Sequence, residues 1–305
     1  MPTVVVGGAD GSCWFVRTDH SSVATTIGSG RQQERATEDR RLEALRELRD
    51  GVLTLTSSDG WERWLKFCRQ FRQYSFHNQV MILSQRPEAT WVAGYSSWKQ
   101  LGRQVRRGEC GIRILAPSGR VESPVDDEKE EVLELVRVHS FRVVRVFDVV
   151  QTEGTELPRP LRQIDDGVRQ MELDLLLSRA GEVGFSVEFW ELRGDRNGDC
   201  SHALRRIRID RRLPPAQVVK TLAHELAHAL LHGGEFSGSR ALAELEAESV
   251  AYVSCRDLGI DSSAYSFGYV ASWAGAGPEA ARAVATAGSR VVRAAGLIID
   301  GPAAA

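Results

Sequence analysis

The chain has 305 residues, with 39 Lys and Arg against 41 Asp and Glu, and a formal net charge of −2. That length suits about two domains, each with a core of its own, and 42% hydrophobic with 26% charged residues is an ordinary soluble globular composition. No apolar run of ~18 residues exists, which excludes a membrane-spanning helix, and the opening MPTVVVGGADGSCW lacks the basic flank of a secretory signal.

Residues 1–35 are rich in Gly, Ser, Thr and Asp with little periodicity and read as a disordered arm. From residue 37, Leu42, Leu45, Leu48, Val52 and Leu53 recur at helical spacing. A second helix follows Ser58-Asp59, with Trp61, Trp64, Leu65, Cys68 and Phe71 on one side, and helix continues or restarts through 78–83. Then come a short helix over 96–101, a strand over 112–115, an acidic spacer over 121–135 and a β-branched strand over 136–150. The Gly- and Pro-punctuated stretch that follows marks a boundary, placed at 153–161. The second half reads as a helix over 166–179, strands over 185–190 and 203–209, and helices over 215–231, 240–257 and from 278 onward. The fold class is α+β: a first domain over 36–152 and a second over 162–305. Five scattered cysteines, Cys13, Cys68, Cys110, Cys200 and Cys255, make no CxxC pair and fit a reducing, cytoplasmic setting.

The sharpest motif is His224-Glu225-Leu226-Ala227-His228. On a helix, positions i and i+4 lie about 40° apart around the axis, so both imidazoles reach one ion. Zn²⁺ held there acidifies water to a pKa of roughly 7, and Glu225 is placed between the histidines to take the proton. A catalytic zinc needs a third protein ligand. A metzincin pattern fails, because Gly234 stands six residues beyond His228. His232 sits at the helix end and reads as an exposed terminal histidine. On the next helix Glu244 and Glu248 are i and i+4: Glu244 is the favoured ligand and Glu248 the fallback, the other orienting a ligand histidine. Glu246, about 200° round from Glu244, is expected to face elsewhere.

The net charge of −2 divides unevenly. Residues 61–120 carry eleven basic and three acidic side chains, a net of +8, which leaves −10 for the remainder. Nine Trp, Phe and Tyr residues are interleaved with those cations. Cations along phosphates and rings stacked on unpaired bases are what a single-stranded nucleic-acid surface requires.

The runs RQYSFHNQVMIL (72–83) and TWVAGYSSWKQLGRQVRRGECGIRILAP (90–117), closed by VFDVVQTEG (146–154), resemble the single-stranded-DNA-binding domain of ArdC-type antirestriction proteins. HELAHALLH, AELEAESVAYVSCRDLGI (243–260) and YSFGYVASWAG (265–275) resemble their zinc-metallopeptidase domain, which is similar to ImmA/IrrE-type peptidases. The resemblance implies single-stranded DNA as a partner, a zincin-like catalytic domain with Zn²⁺ as cofactor, a protein or peptide substrate, and protection of incoming plasmid or phage DNA. The motif carries over onto His224, Glu225 and His228, the downstream acid onto Glu244, and the acid one turn later onto Glu248. Tyr269 and Trp273 fall in a shared stretch near the site. The candidate DNA-contacting residues are Arg72, Tyr74, Asn78, Trp91, Tyr95, Trp98, Lys99, Arg103, Arg106 and Arg107. A strand over 203–209 is expected to pair with an extended peptide along its edge. Two other functions fit the same sequence: a peptidase that cleaves a repressor when DNA damage exposes single strands, and a non-catalytic DNA-masking protein with a structural zinc.

Overall fold

The computed structural model describes residues 4–7, 13–16, 27–117, 141–157, 170–194, 196–234, 236–260 and 278–301. The chain divides into two compact units, one of Met1–Thr54 with Gln73–Leu161 and one of Leu55–Arg72 with Arg162–Ala305. Both mix helix and strand, so the fold is α+β. No helix among the described residues is long and apolar enough to cross a membrane.

The expected arm over 1–35 is not structureless. β1 (Val4–Gly7) and β2 (Cys13–Val16) pair antiparallel, and α1 (Ile27–Thr54) already begins within it. Their runs, VVVG and CWFV, are β-branched or aromatic but only four residues long, too short to stand out as a pattern. The first unit continues with α3 (Phe76–Gln85), β3 (Val92–Gly94), α4 (Tyr95–Gln100), β4 (Arg103–Val105), β5 (Ile112–Pro117), β6 (Phe141–Asp148) and β7 (Thr152–Gly154). α2 (Ser58–Cys68) lies between α1 and α3 in sequence but belongs to the second unit. The first unit therefore does not run unbroken over 36–152, and β7 lies partly within the stretch expected to link the domains.

β6 is the centre of a three-stranded antiparallel sheet, flanked by β3 and β5. The outer edge of β5 is satisfied by side chains of α3. Asn78 Nδ2 donates to the Leu115 carbonyl and its Oδ1 accepts from the Leu115 amide, both at 2.9 Å. Two helical turns on, Gln85 does the same to Arg113, again at 2.9 Å for each bond. Residues seven apart on a helix share a face, as do residues two apart on a strand. Two amides thus stand in for a fourth strand and close an edge that would otherwise invite pairing. Asn78→Ala is expected to destabilise the unit by about 1–3 kcal/mol, measured by denaturant unfolding, with secondary structure retained by circular dichroism. The segment after β6 is fixed by Asp148, fully buried, whose carboxylate accepts from the amides of Thr90, Trp91 and Val150. Gln151 Oε1 accepts from the Asp148 amide in return, a reciprocal cap.

The second unit comprises α2 with α5 (Gln170–Glu182), β8 (Ser186–Trp190), β9 (Gly198–Ser201), β10 (Arg206–Asp210), α6 (Pro215–Leu231), α7 (Arg240–Asp257) and α8 (Pro278–Asp300). α6 starts on Pro215, where a missing N–H costs nothing, and α7 is capped by Ser239 Oγ accepting from the Leu242 amide. Leu222, Ala223, Leu226 and Ala227 of α6 and Ala247, Val250 and Ala251 of α7 have no exposed surface, so the two helices pack closely through small and branched residues. Trp61 and Trp64 of α2 are fully buried here, and Trp61 Nε1 donates to Ser249 Oγ of α7 at 2.9 Å. These rings are core side chains with no face left for a base. The sheet order is β8-β10-β9, with β8 parallel and β9 antiparallel to β10.

Candidate metal centre and nucleic-acid surface

α6 carries His224, Glu225 and His228, and the start of α7 brings Glu244 against them. The Nε2 atoms of His224 and His228 lie 3.1 Å apart. Glu244 Oε2 is 3.5 Å from the first and 3.8 Å from the second. Three donors bound tetrahedrally at roughly 2.0–2.2 Å from one ion stand about 3.3–3.6 Å from each other, so the triangle fits a divalent cation with little adjustment. One ligand atom from each side chain lies within 4.8 Å of the others. Imidazole nitrogen and carboxylate oxygen together accept several first-row metals, so the donor set selects a divalent ion without selecting zinc.

The electrostatics have the same origin. Burial works against protonation of His224, but the hydrogen bond to Glu244 and the charges of Glu225, Glu244 and Glu248 outweigh it and raise its pKa. His228 is lowered, by burial first, despite Glu244. The two imidazoles hold the Glu244 carboxyl well below the usual range. Glu225 is buried, and that burial pushes its carboxyl up to about 7, against the pull of His224. A cation on the neighbouring donors would act in the opposite sense and favour its ionised form.

Other residues around the centre differ from the sequence reading. His232 is not an exposed terminal histidine: its side chain is 7% exposed and its Nε2 meets Glu246 Oε2 at 2.9 Å. Glu246 does point away from Glu244, yet it reaches the centre through His232. Glu248 is half-buried near His224, its pKa raised by that burial, and it makes no hydrogen bond to either imidazole among the described residues. Tyr269 and Trp273 lie outside the described residues. The strand expected over 203–209 is β10, paired on both sides, so its edges are closed. Among the described residues the open edge on this side is β9, which the sequence does not reveal because GDCS has no strand pattern. β9 lies flat on α6: a Cβ at Gly198 would sit 2.7 Å from Thr221 Cγ2 and 2.9 Å from Glu225 Oε1. Beyond β9, His202 Nε2 donates to the His228 carbonyl at 3.0 Å. Gly198→Ala is expected to displace Glu225 and cut turnover by about tenfold, with metal content unchanged, as read by paired kinetics and metal analysis.

Most of the expected DNA-contacting residues have structural partners. Trp98 is fully buried and donates Nε1 to the Phe147 carbonyl at 2.8 Å. Trp91 is half-buried and packs on it at 5.9 Å. Tyr74 donates to the Val92 carbonyl, and burial pushes its phenol up to about 12. Asn78 is committed to β5. Arg72 belongs to the second unit, where it pairs with Asp257 and Asp300. The Arg103 guanidinium is bound to Thr152 and Thr155, and Arg106 to Glu109. Tyr95, Lys99 and Arg107 remain exposed, and neither cation makes an ion pair among the described residues. Two residues outside the basic window join them. Phe147 lies edge-on to Tyr95 at 6.4 Å, and Arg145 is exposed two residues earlier, on the same face of β6. With residues 61–72 assigned to the second unit, 73–120 carries seven basic and two acidic residues, a net of +5 rather than +8.

Comparison with known proteins adds to this geometry. Residues 40–147 match the model of the N-terminal domain of anti-restriction factor ArdC. Residues 188–254 match the IrrE N-terminal-like domain of the Peptidase_M78 family. The chain thus carries an ArdC-type N-terminal domain followed by an IrrE-like Peptidase_M78 domain. Its second unit is accordingly the zincin-like one. A protein of Bacillus anthracis is 24% identical over 274 residues, covering 76% of this chain and 46% of its own, so the chain spans about half the length of that relative. Crystal structures of the antirestriction ArdC protein from the R388 plasmid align over 75% of this chain and 85% of theirs. The Mn(II)-bound one has 24% identity and a TM-score of 0.48, the metal-free one 23% and 0.45.

Proposed function

We propose that this ArdC-type chain is a single-stranded-DNA-binding, divalent-metal-dependent peptidase that protects incoming plasmid or phage DNA. The observation that carries the hydrolytic half is the triangle of His224, His228 and Glu244 donors beside a buried Glu225. His224, His228 and Glu244 would hold a divalent cation such as Zn²⁺, which would supply Lewis-acid chemistry, polarising a carbonyl and acidifying water. Glu225 takes the proton of the attacking water and passes it to the leaving amine. β9 offers its open edge to an extended peptide, and the bare Cα of Gly198 lets that strand lie against Glu225. Cleavage of a peptide library by metal-loaded protein, stopped by Glu225→Gln, tests this half.

The DNA half is supported by the ArdC N-terminal-domain match and by the exposed Tyr95, Lys99, Arg107 and Arg145, with the half-buried Phe147 edge-on to Tyr95. Rings take stacked bases and cations follow the backbone, without sequence readout. Changing Lys99 and Arg107 together to Ala is expected to weaken binding to all single strands alike and to flatten the slope of log K against log salt by about 1.4. Fluorescence anisotropy across a salt series checks this. Binding that is insensitive to salt would overturn the nucleic-acid reading.

A further inference from the structure

An imidazole that binds a metal through Nε2 must carry its proton on Nδ1. What Nδ1 meets therefore decides whether a histidine is ready to be a ligand. For His228 that partner is another histidine: His228 Nδ1 and His232 Nδ1 are 2.9 Å apart. His232 Nε2 is in turn 2.9 Å from Glu246 Oε2, and Glu246 Oε1 is 2.9 Å from Arg290 Nε of α8. The Glu246 side chain is 2% exposed and that of His232 7%. Phe236 closes the arrangement, its ring 4.6 Å from His232 and 5.2 Å from the Arg290 guanidinium carbon.

We propose that Glu246 and His232 are positioning residues that hold His228 in the tautomer able to bind a cation; this rests on the metal-centre reading above. A carboxylate paired with a guanidinium only accepts hydrogen bonds, so His232 Nε2 must donate to it. A neutral His232 then shows a bare lone pair at Nδ1. Only His228 carrying its proton on Nδ1 can satisfy that contact, which leaves His228 Nε2 unprotonated toward His224 and Glu244. The reverse tautomer would set two lone pairs against each other at Glu246. Arg290 fixes the far end, and through Nη2 it also holds the Leu231 carbonyl at the end of α6. Partners of this kind orient ligand histidines and raise their basicity, and losing one costs metal affinity about 10- to 100-fold.

The test is zinc affinity of the full chain, measured by competition with a chromophoric chelator. Glu246→Gln gives the buried position an amide that can donate to His232 Nε2 and so favours the wrong tautomer. It is expected to bind zinc about 10- to 100-fold more weakly, as is His232→Phe. His232→Gln, which restores an acceptor for His228, is expected to recover part of that loss, a rescue that mere filling of the space does not predict. Zinc affinities of Glu246→Gln and His232→Phe within twofold of the parent would overturn the proposal. A second readout needs no variant. Long-range ¹H–¹⁵N correlations of the zinc-loaded parent are expected to place the His232 proton on Nε2, and a proton on Nδ1 overturns the proposal even if every variant misfolds. Should the parent itself bind no zinc, the metal-centre reading fails first, and the two failures stay distinct.

Discussion

Glu225→Gln is expected to lower peptide hydrolysis by about 10³-fold while the protein still binds one divalent ion per chain. Glu225 stands between the two histidines on α6 but is not among the three converging donors, so the amide leaves the cation's ligands untouched. Its environment takes a neutral side chain easily: Glu225 is 8% exposed, and burial already disfavours its charge. The change therefore removes a proton acceptor without leaving an unpaired buried charge, and stability should stay level or rise slightly. The measurements are turnover by mass spectrometry, metal content and thermal unfolding, made on one preparation of each protein. If Glu225→Gln hydrolyses peptides at the parental rate, Glu225 is not the base.

His228→Ala is expected to act differently, abolishing stoichiometric metal binding and hydrolysis together. His228 is the middle of the site. Its Nε2 is 3.1 Å from His224 and 3.8 Å from Glu244, its Nδ1 meets His232, and its carbonyl accepts from His202. Truncation removes one of three donors and also strands the Nδ1 atom of a buried imidazole. Metal analysis after dialysis should find less than about a tenth of an ion per chain. DNA binding should persist, because Tyr95, Lys99 and Arg107 belong to the other unit. Loss of DNA binding in this variant would show that the two activities are not separable in the way their residues are.

The metal motif was legible because a helix makes neighbours of residues four apart. His224 with His228, and the acid-rich start of the next helix, could be read from spacing alone. What was not legible came from distant parts of the chain. β9 is four residues, Gly198–Ser201, and becomes a strand only because β10 is there to pair with it. The pattern of α2 puts Trp61 and Trp64 on one side of a helix, but does not say that this side is core or that Ser249 lies against it. Interleaved basic and aromatic residues gave the right chemistry for a surface, but could not say which side chains reach it. Trp98, Asn78 and Arg103 turn inward or onto backbone carbonyls, and Phe147 with Arg145 lie outside the basic window in sequence. His232 differs from expectation for a related reason: position at a helix end implies exposure only when no other helix packs over it, and here α7 does, through Glu246.

Anomalous diffraction from crystals soaked in zinc, recorded on both sides of the zinc edge, tests the metal centre directly. The expected result is one strong peak about 2.0–2.2 Å from His224 Nε2, His228 Nε2 and a Glu244 carboxylate oxygen. A difference map without a peak there, or with its strongest peak on other donors such as His202, Cys200 or Asp199, would contradict it.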